Sequence, residues 1–144
     1  MTRAFNIKRV YEPASDEDGF RVLVDRLWPR GVRKENARID LWAKDISPSD
    51  ALRREFHGHP EHWQKFVAAY RKELVREPAA SAARDLLARR KRGGVTLLYA
   101  ARDEEHNNAV ALKAWLETGG GLTRRVDLGP DGETKRASSR FPPQ

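Results

Sequence analysis

The sequence predicts an α/β fold in which helices flank a small, mostly parallel sheet, as a Rossmann-like three-layer or two-layer sandwich. Strand-length segments rich in β-forming residues alternate with segments in which apolar residues recur at helical spacing. The run Val95–Ala100 is almost entirely apolar, which is typical of a strand buried on both faces of a parallel sheet. The length of 144 residues suits a single domain.

The first elements are predicted to be two strands and a helical segment. Phe5–Tyr11 and Phe20–Trp28 are rich in β-branched and aromatic residues, and a loop containing Pro, Ser, Asp and Gly separates them. Pro29 ends the second strand. In Arg33–Ile46 the apolar residues lie at helical spacing, which predicts a helix or helical turns.

Start and stop signals predict three helices between residues 47 and 94. Ser47 is the expected N-cap of the first helix. Pro60 opens the second helix, which Pro78 ends. Ser81 is the expected N-cap of the third helix, and Gly93 stops it.

The C-terminal part is predicted to contain one more helix and then a tail. Asp103 is the expected N-cap of this helix, which the glycines from Gly119 onward end. Thr123–Leu128 has the composition of a short edge strand. Gly, Arg, Ser and Pro dominate thereafter, so we expect a single α/β domain over residues 1–128 and a flexible tail over 129–144.

The composition excludes several classes of protein. The chain has no cysteine, so disulfides, thiolate metal sites and cysteine nucleophiles are impossible. No apolar run approaches the roughly 20 residues of a membrane helix, and no signal-peptide core is present, which predicts a cytoplasmic protein without a membrane partner. The net charge of +7 and the cationic run Arg89–Arg92 favour nucleic acid as a partner only weakly, because the other cations are dispersed.

Two polar loops are expected to meet at one edge of the sheet. Asp25–Gly31 and Ala101–Asn108 each follow a predicted strand, and ligands of open α/β sheets bind beyond the carboxyl ends of the strands. The candidates for acid–base catalysis are Asp25, Asp103 and His106. The candidates for holding an anionic substrate or stacking on it are Arg26, Trp28, Arg30, Lys44, Arg102, Asn107 and Asn108.

Structural roles compete with these functional ones. Asp25 needs a partner at the edge of a core, and Arg26 and Arg30 are the nearest candidates for an ion pair. Trp28 has the position of a core residue, and His106 also suits an exposed surface. Two successive asparagines early in a helix indicate that hydrogen bonding there outweighs helix propensity.

No metal or cofactor is predicted. His57–His62 contains three histidines and a glutamate, but their spacing matches no standard ligand motif, and Gly58 and Pro60 explain the segment as a turn between helices. Walker, dinucleotide-binding and nucleophile-elbow motifs do not occur in the sequence.

Three segments resemble the YeaO-like proteins, a domain of unknown function catalogued as family 488: Asp25–Gly31, Trp42–Ser49 and Leu97–Asn108. The resemblance covers about Ile7 to Leu116 and implies a small α/β protein without supplying an activity. Another branch of that family has a Cys-x-Glu…Cys-His-Arg pattern in the second loop, where this chain carries Tyr99, Ala101, Asn107, Asn108 and Ala109. The resemblance therefore implies that a mechanism using those cysteines does not apply here.

Three functional hypotheses follow. The leading one is an enzyme, or a degenerate enzyme that only binds, acting on a small phosphorylated or nucleotide-like anion at the two loops. The second is a nucleic-acid-binding module that uses the basic surface. The third is a structural or partner-binding protein. The sequence leaves the oligomeric state open.

Overall fold

The computed structural model describes residues 5–119, in which four strands form one sheet in the order β1, β4, β2, β3. The strands are β1 (Phe5–Arg9), β2 (Phe20–Leu23), β3 (Leu41–Trp42) and β4 (Val95–Tyr99). Every neighbouring pair is parallel. The predicted α/β fold with a small parallel sheet is therefore confirmed.

Five helices accompany the sheet within the described residues: α1 (Lys34–Ala37), α2 (Asp50–Gly58), α3 (Trp63–Leu74), α4 (Ala79–Arg92) and α5 (Asn108–Glu117). Short 3₁₀ turns form at Asp16–Asp18 and Lys44–Ile46. The predicted edge strand and tail beyond Gly119 lie outside the described residues.

Strand β4 is the centre of the sheet. It pairs with β1 on one side and with β2 on the other, so that Val95 is the register partner of both Phe5 and Phe20. All five of its residues are buried, including Thr96. The continuous apolar run predicted this position, because a central strand covered on both faces has no solvent-facing side.

The main hydrophobic core lies on one face of the sheet. Val95, Leu97 and Tyr99 point into it, and α3, α4 and α5 contribute residues such as Phe66, Leu86 and Leu112. The opposite face carries a smaller cluster, which consists of Val10, Leu23 and Leu98 with Trp28, Val32, Ile39, Trp42 and Ala100 packed against it. The longer helices thus cover one face, while loops cover the other.

A buried charge network lies on the loop-covered face. Asp18 accepts hydrogen bonds from Lys8 Nζ (2.9 and 3.1 Å), from the Ser15 amide (3.0 Å) and from Arg21 Nη1. Burial alone would raise the pKa of Asp18, but these hydrogen bonds outweigh it and hold the pKa below its usual value. The Asp18 carbonyl also accepts from Thr96 Oγ1 at 2.7 Å, which fixes the loop to β4.

Gly19 makes the closest backbone approach in this region. Its φ of +66° is in the left-handed range, and a Cβ built on it would lie 2.3 Å from the Gly94 carbonyl oxygen. That same oxygen accepts a hydrogen bond from the Phe20 amide at 2.9 Å. Only glycine satisfies both the conformation and the space.

Two predicted elements differ from the structure. The strand predicted over Phe20–Trp28 ends at Leu23, because the chain turns where the Asp25 carboxylate finds its hydrogen-bond donors. The helical segment predicted over Arg33–Ile46 contains the strand β3 between α1 and a 3₁₀ turn. A two-residue strand is too short to show the alternation by which strands are recognised.

The predicted N-cap of α2 is also wrong. Ser49 caps this helix by accepting from the Leu52 amide at 3.2 Å. Ser47 instead closes the preceding 3₁₀ turn, and its hydroxyl donates to the Ala43 carbonyl at 3.1 Å. Both serines have a hydroxyl that is able to cap a helix, and the residue at which α2 begins decides which of them does so.

The starts of the other helices are shifted as well. Pro60 lies in the turn before α3, which begins at Trp63. Ser81 lies inside the first turn of α4, where its amide donates to the Glu77 carboxylate at 3.0 Å. The N-cap of α5 is Asn107 rather than Asp103, with Asn107 Oδ1 accepting from Val110 N at 3.0 Å.

Candidate functional site

The two polar loops meet at the carboxyl edge of the sheet, as their positions after parallel strands predict. The contact is made by Asp25, which follows β2, and by residues that follow β4. Asp25 Oδ2 accepts from the Ala100 amide at 3.0 Å, and Asp25 Oδ1 accepts from Asn108 Nδ2 at 3.1 Å. The same Asn108 amide donates to the Val24 carbonyl at 2.7 Å.

The environment of Asp25 shifts the pKa of its carboxyl upward. Burial raises the pKa of Asp25, and the hydrogen bonds from Asn108 and Ala100 oppose that rise without cancelling it. The ion pair expected with Arg26 or Arg30 does not form, because both carboxylate oxygens face amide donors. Asp25 thus acts as a junction between the loops.

Arg26 connects the first loop to the segment before α2. Its Nε donates to the Pro48 carbonyl at 2.7 Å, and its Nη2 lies 3.4 Å from the Ser47 carbonyl. Two of the N–H groups of Arg26 are therefore directed at backbone carbonyls, which are neutral and do not cancel its positive charge.

Trp28 packs as a half-buried residue. Its ring contacts Trp42 edge to face at a centroid distance of 5.3 Å, and its Nε1 donates to the Val32 carbonyl at 2.6 Å. Trp42 in turn donates from Nε1 to the Asp25 carbonyl at 2.8 Å. Lys44 Nζ lies 4.1 Å from the centroid of the Trp42 ring, a cation–π contact that holds an ammonium group beside the first loop.

The second loop contains a histidine–carboxylate pair. Asp103 Oδ1 accepts from the amides of Glu105 (2.9 Å) and His106 (3.0 Å), and Asp103 Oδ2 lies 3.1 Å from His106 Nδ1. These backbone hydrogen bonds, followed by the His106 ring, hold the pKa of Asp103 below its usual value. The His106 ring also packs edge to face on Trp63 at 5.1 Å, with about half of the side chain exposed.

The orientation of His106 leaves its Nε2 for a ligand. Nδ1 is directed at Asp103, and no residue of the described part bonds to Nε2. Asp103 therefore begins the turn before α5 and orients a histidine, a combination that the sequence indicated only as separate possibilities.

The side chains of Asn107 and Asn108 both make hydrogen bonds that hold the second loop and the start of α5 in place. Asn107 Nδ2 donates to the Asp103 carbonyl at 2.9 Å while its Oδ1 caps α5, and Asn108 bonds to Val24 and Asp25 as described above. This confirms that hydrogen bonding outweighs helix propensity at these positions.

Sequence reasoning missed Arg9 and Tyr11. Arg9 donates from Nε to the Ala101 carbonyl (2.9 Å) and from Nη2 to the Ala100 carbonyl (3.0 Å), and its guanidinium lies 5.0 Å from the Tyr11 ring centroid. Tyr11 Oη donates to the Arg30 carbonyl at 2.9 Å. The only signal was that both residues lie in the last three positions of the strand predicted over Phe5–Tyr11, and the order of the strands decides that Arg9 lies beside β4.

These contacts make a chain of groups along the carboxyl edge. From the second loop it runs through Arg9 and Tyr11 to Arg30 of the first loop. Arg30 and Arg102 are exposed, and Arg9 is half-buried. We call the surface carrying Arg9, Arg30 and Arg102 the cationic rim.

No helix within residues 5–119 has both the length and the apolar character needed to cross a membrane.

Comparisons with known proteins agree on one family. Residues 4–137 match the family model described as the inactive DUF488-N3 subclade. The chain is 42% identical over 112 residues to the uncharacterized protein YeaO of Escherichia coli, which covers 77% of this chain and 95% of that protein. It is 40% identical over 106 residues to the uncharacterized proteins Mb3100c of Mycobacterium bovis and Rv3073c of Mycobacterium tuberculosis, over 74% of this chain and 87% of theirs. No solved structure matches. The chain therefore belongs to the YeaO-like DUF488 family and falls in the subclade described as inactive.

Proposed function

We propose that this protein binds a small anionic ligand, phosphorylated or nucleotide-like, at the carboxyl edge of the sheet. The observation that carries the proposal is the junction at Asp25, which holds the two polar loops together through Ala100 and Asn108. A ligand site needs such preorganised walls, because ordering loops at the moment of binding costs free energy.

The charges at this edge favour an anion. Arg9, Arg30 and Arg102 form the cationic rim. Guanidinium groups pair with phosphate through two parallel hydrogen bonds, and the exposed Arg30 and Arg102 are the candidates for this contact. Arg9 adds positive charge, while its Nε and Nη2 donate to the second loop. Lys44 lies on the other side of Asp25, held on the Trp42 ring. The Glu12 carboxylate accepts from the Arg9 amide at 3.3 Å and offsets part of the positive charge of the rim. The Asp103 carboxylate is engaged by two backbone amides and by His106.

A binding role is better supported than turnover. Both oxygens of Asp25 are engaged by amide donors, so its use as a general base would break the loop junction. The description of the matched subclade as inactive supports the same choice. His106, oriented by Asp103, is the remaining candidate for acid–base chemistry, and its Nε2 would instead donate to or accept from the ligand.

Nucleic-acid binding has less support from the described residues. In the run Arg89–Arg92, the Arg89 guanidinium stacks 3.7 Å from the Phe20 ring centroid, and that of Arg90 lies 4.9 Å from the Phe5 ring centroid. Two of the four cations in this run thus pack on aromatic rings, which leaves fewer of these side chains available to contact phosphates.

The test is the thermal stability of the full chain with a panel of nucleotides, sugar phosphates, pyrophosphate and inorganic phosphate. A ligand present at roughly 100 times its Kd stabilises the native state by about 2.7 kcal/mol. Arg30→Ala and Arg102→Ala should each weaken the binding by about 10-fold, equivalent to about 1.4 kcal/mol.

Arg92→Ala is the matched control. Arg92 is an exposed arginine at the end of α4, and it lies near the amino edge of the sheet because β4 starts at Val95. The proposal fails if no anion stabilises the wild type, or if Arg92→Ala weakens binding as much as Arg30→Ala. Binding that falls steeply with salt for any DNA or RNA strand, and equally in all three variants, would favour the nucleic-acid hypothesis instead.

A further inference from the structure

The turn between α2 and α3 brings together three side chains that are able to bind a metal ion. Their donor atoms, one each from His59, Glu61 and His62, all lie within 4.8 Å of one another. Glu61 Oε2 is 3.4 Å from His59 Nδ1 and 3.7 Å from His62 Nε2. The two imidazole rings stack with centroids 4.9 Å apart.

These distances are close to those of a tetrahedral zinc site. Zinc binds histidine nitrogen and carboxylate oxygen at about 2.0–2.2 Å, so neighbouring donor atoms around it are roughly 3.3–3.5 Å apart. The two distances from Glu61 to the histidines nearly meet this requirement. The rings of His59 and His62 are stacked at an interplanar angle of 16°, so at least one of them must rotate out of the stack for both nitrogen lone pairs to point at one ion.

A fourth residue orients one of the ligands. Glu55 Oε2 lies 3.0 Å from His62 Nδ1. Histidines that bind metals usually donate their other ring N–H to a carboxylate, which fixes the tautomer and directs the free nitrogen to the ion. With the proton on Nδ1, the Nε2 lone pair of His62 is on the side of the Glu61 carboxylate, and a cation placed between these two groups would be bound by both.

The backbone already holds the turn in place. The His59 amide donates to the Glu55 and Phe56 carbonyls at 3.0 and 3.1 Å, which ends α2. The His62 amide donates to the His59 carbonyl at 2.9 Å, and the Phe66 amide donates to the His62 carbonyl at 2.9 Å, which begins α3. The ligands therefore stand on a defined frame, so little backbone order has to be gained on binding.

We propose that His59, Glu61 and His62 bind a divalent transition metal ion, with Zn²⁺ the best fit to two imidazoles and one carboxylate. Glu55 positions His62, and a fourth coordination position remains for water. The sequence predicted no metal here because the spacing of the histidines and the glutamate matches no standard ligand motif, and Gly58 and Pro60 explained the segment as a turn. The site shares no residue with the proposed anion site, so either proposal can fail alone.

The test uses the untagged full chain and isothermal titration with Zn²⁺ near neutral pH. The wild type should bind one Zn²⁺ with a Kd on the order of micromolar. His59→Ala and His62→Ala should each weaken binding by at least about 10-fold, and Glu55→Gln should weaken it by roughly 10-fold through its effect on His62. Circular dichroism establishes that each variant is folded.

His57→Ala is the matched control, because it removes an exposed imidazole that lies two residues before His59 and does not belong to the cluster. Its affinity for Zn²⁺ should equal that of the wild type. The proposal is overturned if the wild type binds no Zn²⁺, in which case hydrogen bonds among these side chains account for the cluster. It is also overturned if His57→Ala weakens binding as much as His59→Ala does.

Discussion

Asn108, the first residue of α5, donates its side-chain amide to the carboxylate of Asp25, 83 positions earlier in the chain, with an Nδ2–Oδ1 distance of 3.1 Å. Together with the bond from the Ala100 amide, this contact connects the ends of β2 and β4 to the start of a helix. The junction is polar and largely withdrawn from water, so its stability depends on protonation.

The first prediction concerns the pH dependence of stability at Asp25. Its pKa is raised in the native state by burial, so the native state binds more protons than the unfolded state between the two pKa values. The free energy of unfolding contributed by Asp25 should therefore fall as pH rises from about 4 through the native pKa. Each pKa unit by which the native value exceeds the unfolded value changes the free energy of unfolding by about 1.4 kcal/mol across this range.

Urea unfolding of the wild type and of Asp25→Asn over this pH range measures the effect. The asparagine does not titrate, so the difference in unfolding free energy between wild type and variant should decrease with rising pH. Asp16→Asn, at an exposed carboxylate, is the control and should track the wild type. A difference for Asp25→Asn that stays constant or grows with pH contradicts the prediction.

The second prediction concerns the buried charge network around Asp18. Asp18→Ala removes the carboxylate that faces Lys8 and leaves the guanidinium of the buried Arg21 without its anion. Breaking a buried ion pair from one side costs about 3–5 kcal/mol. Because the native pKa of Asp18 is lowered, its stabilisation is complete above the unfolded pKa and is lost as pH falls through the native one.

Urea unfolding at neutral pH checks this loss against Asp16→Ala. Asp16 lies two residues away, is almost fully exposed and has its partner Arg38 at 3.5 Å. An exposed pair of this kind contributes at most about 1 kcal/mol, so the control should change little. Equal losses in the two variants would show that the buried network contributes no more than a surface charge.

The third prediction concerns Gly19. Gly19→Ala introduces a Cβ 2.3 Å from the Gly94 carbonyl oxygen at a φ of +66°. Strain in the left-handed region alone costs about 1–3 kcal/mol, and the displaced backbone carbonyl also weakens its bond to Phe20. We expect a loss of about 3 kcal/mol or more, measured by thermal or urea unfolding.

Gly58→Ala provides the comparison, because Gly58 ends α2 in open space with no atom within 4 Å of an added Cβ. Alanine favours the helix over glycine by up to about 1 kcal/mol, so this variant should be as stable as the wild type or slightly more stable. A Gly19→Ala protein as stable as Gly58→Ala would mean that the loop moves away from Gly94 without cost.

The meeting of the two polar loops was predictable from sequence, while the hydrogen-bond partners of their residues were not. Parallel strands end at one edge, so the apolar run of β4 and the polar residues after it were enough to place Asp25 and Asp103 in one region. Asp25 has arginines as sequence neighbours, yet its carboxylate accepts hydrogen bonds from the backbone amide of Ala100 and the side-chain amide of Asn108, which the fold brings next to it.

Other differences have the same cause. Arg9 matters because β1 lies next to β4, and strand order is a property of the whole sheet rather than of any segment. Caps were misassigned where several suitable side chains lie within a few residues, as with Ser47 and Ser49. The core run of β4 was predicted correctly because burial on both faces needs no knowledge of partners.

The central position of β4 also has a consequence for biosynthesis. A ribosome releases β1 and β2 long before Val95–Tyr99, and these two strands are not neighbours in the sheet, so the emerging chain holds them without their shared partner. Their unpaired edges stay open to wrong pairings until Val95–Tyr99 has been translated. The central strand of the sheet is thus the last of its four strands to be synthesised. A nascent chain that stops before Val95 lacks the strand through which β1 and β2 are joined in the native sheet.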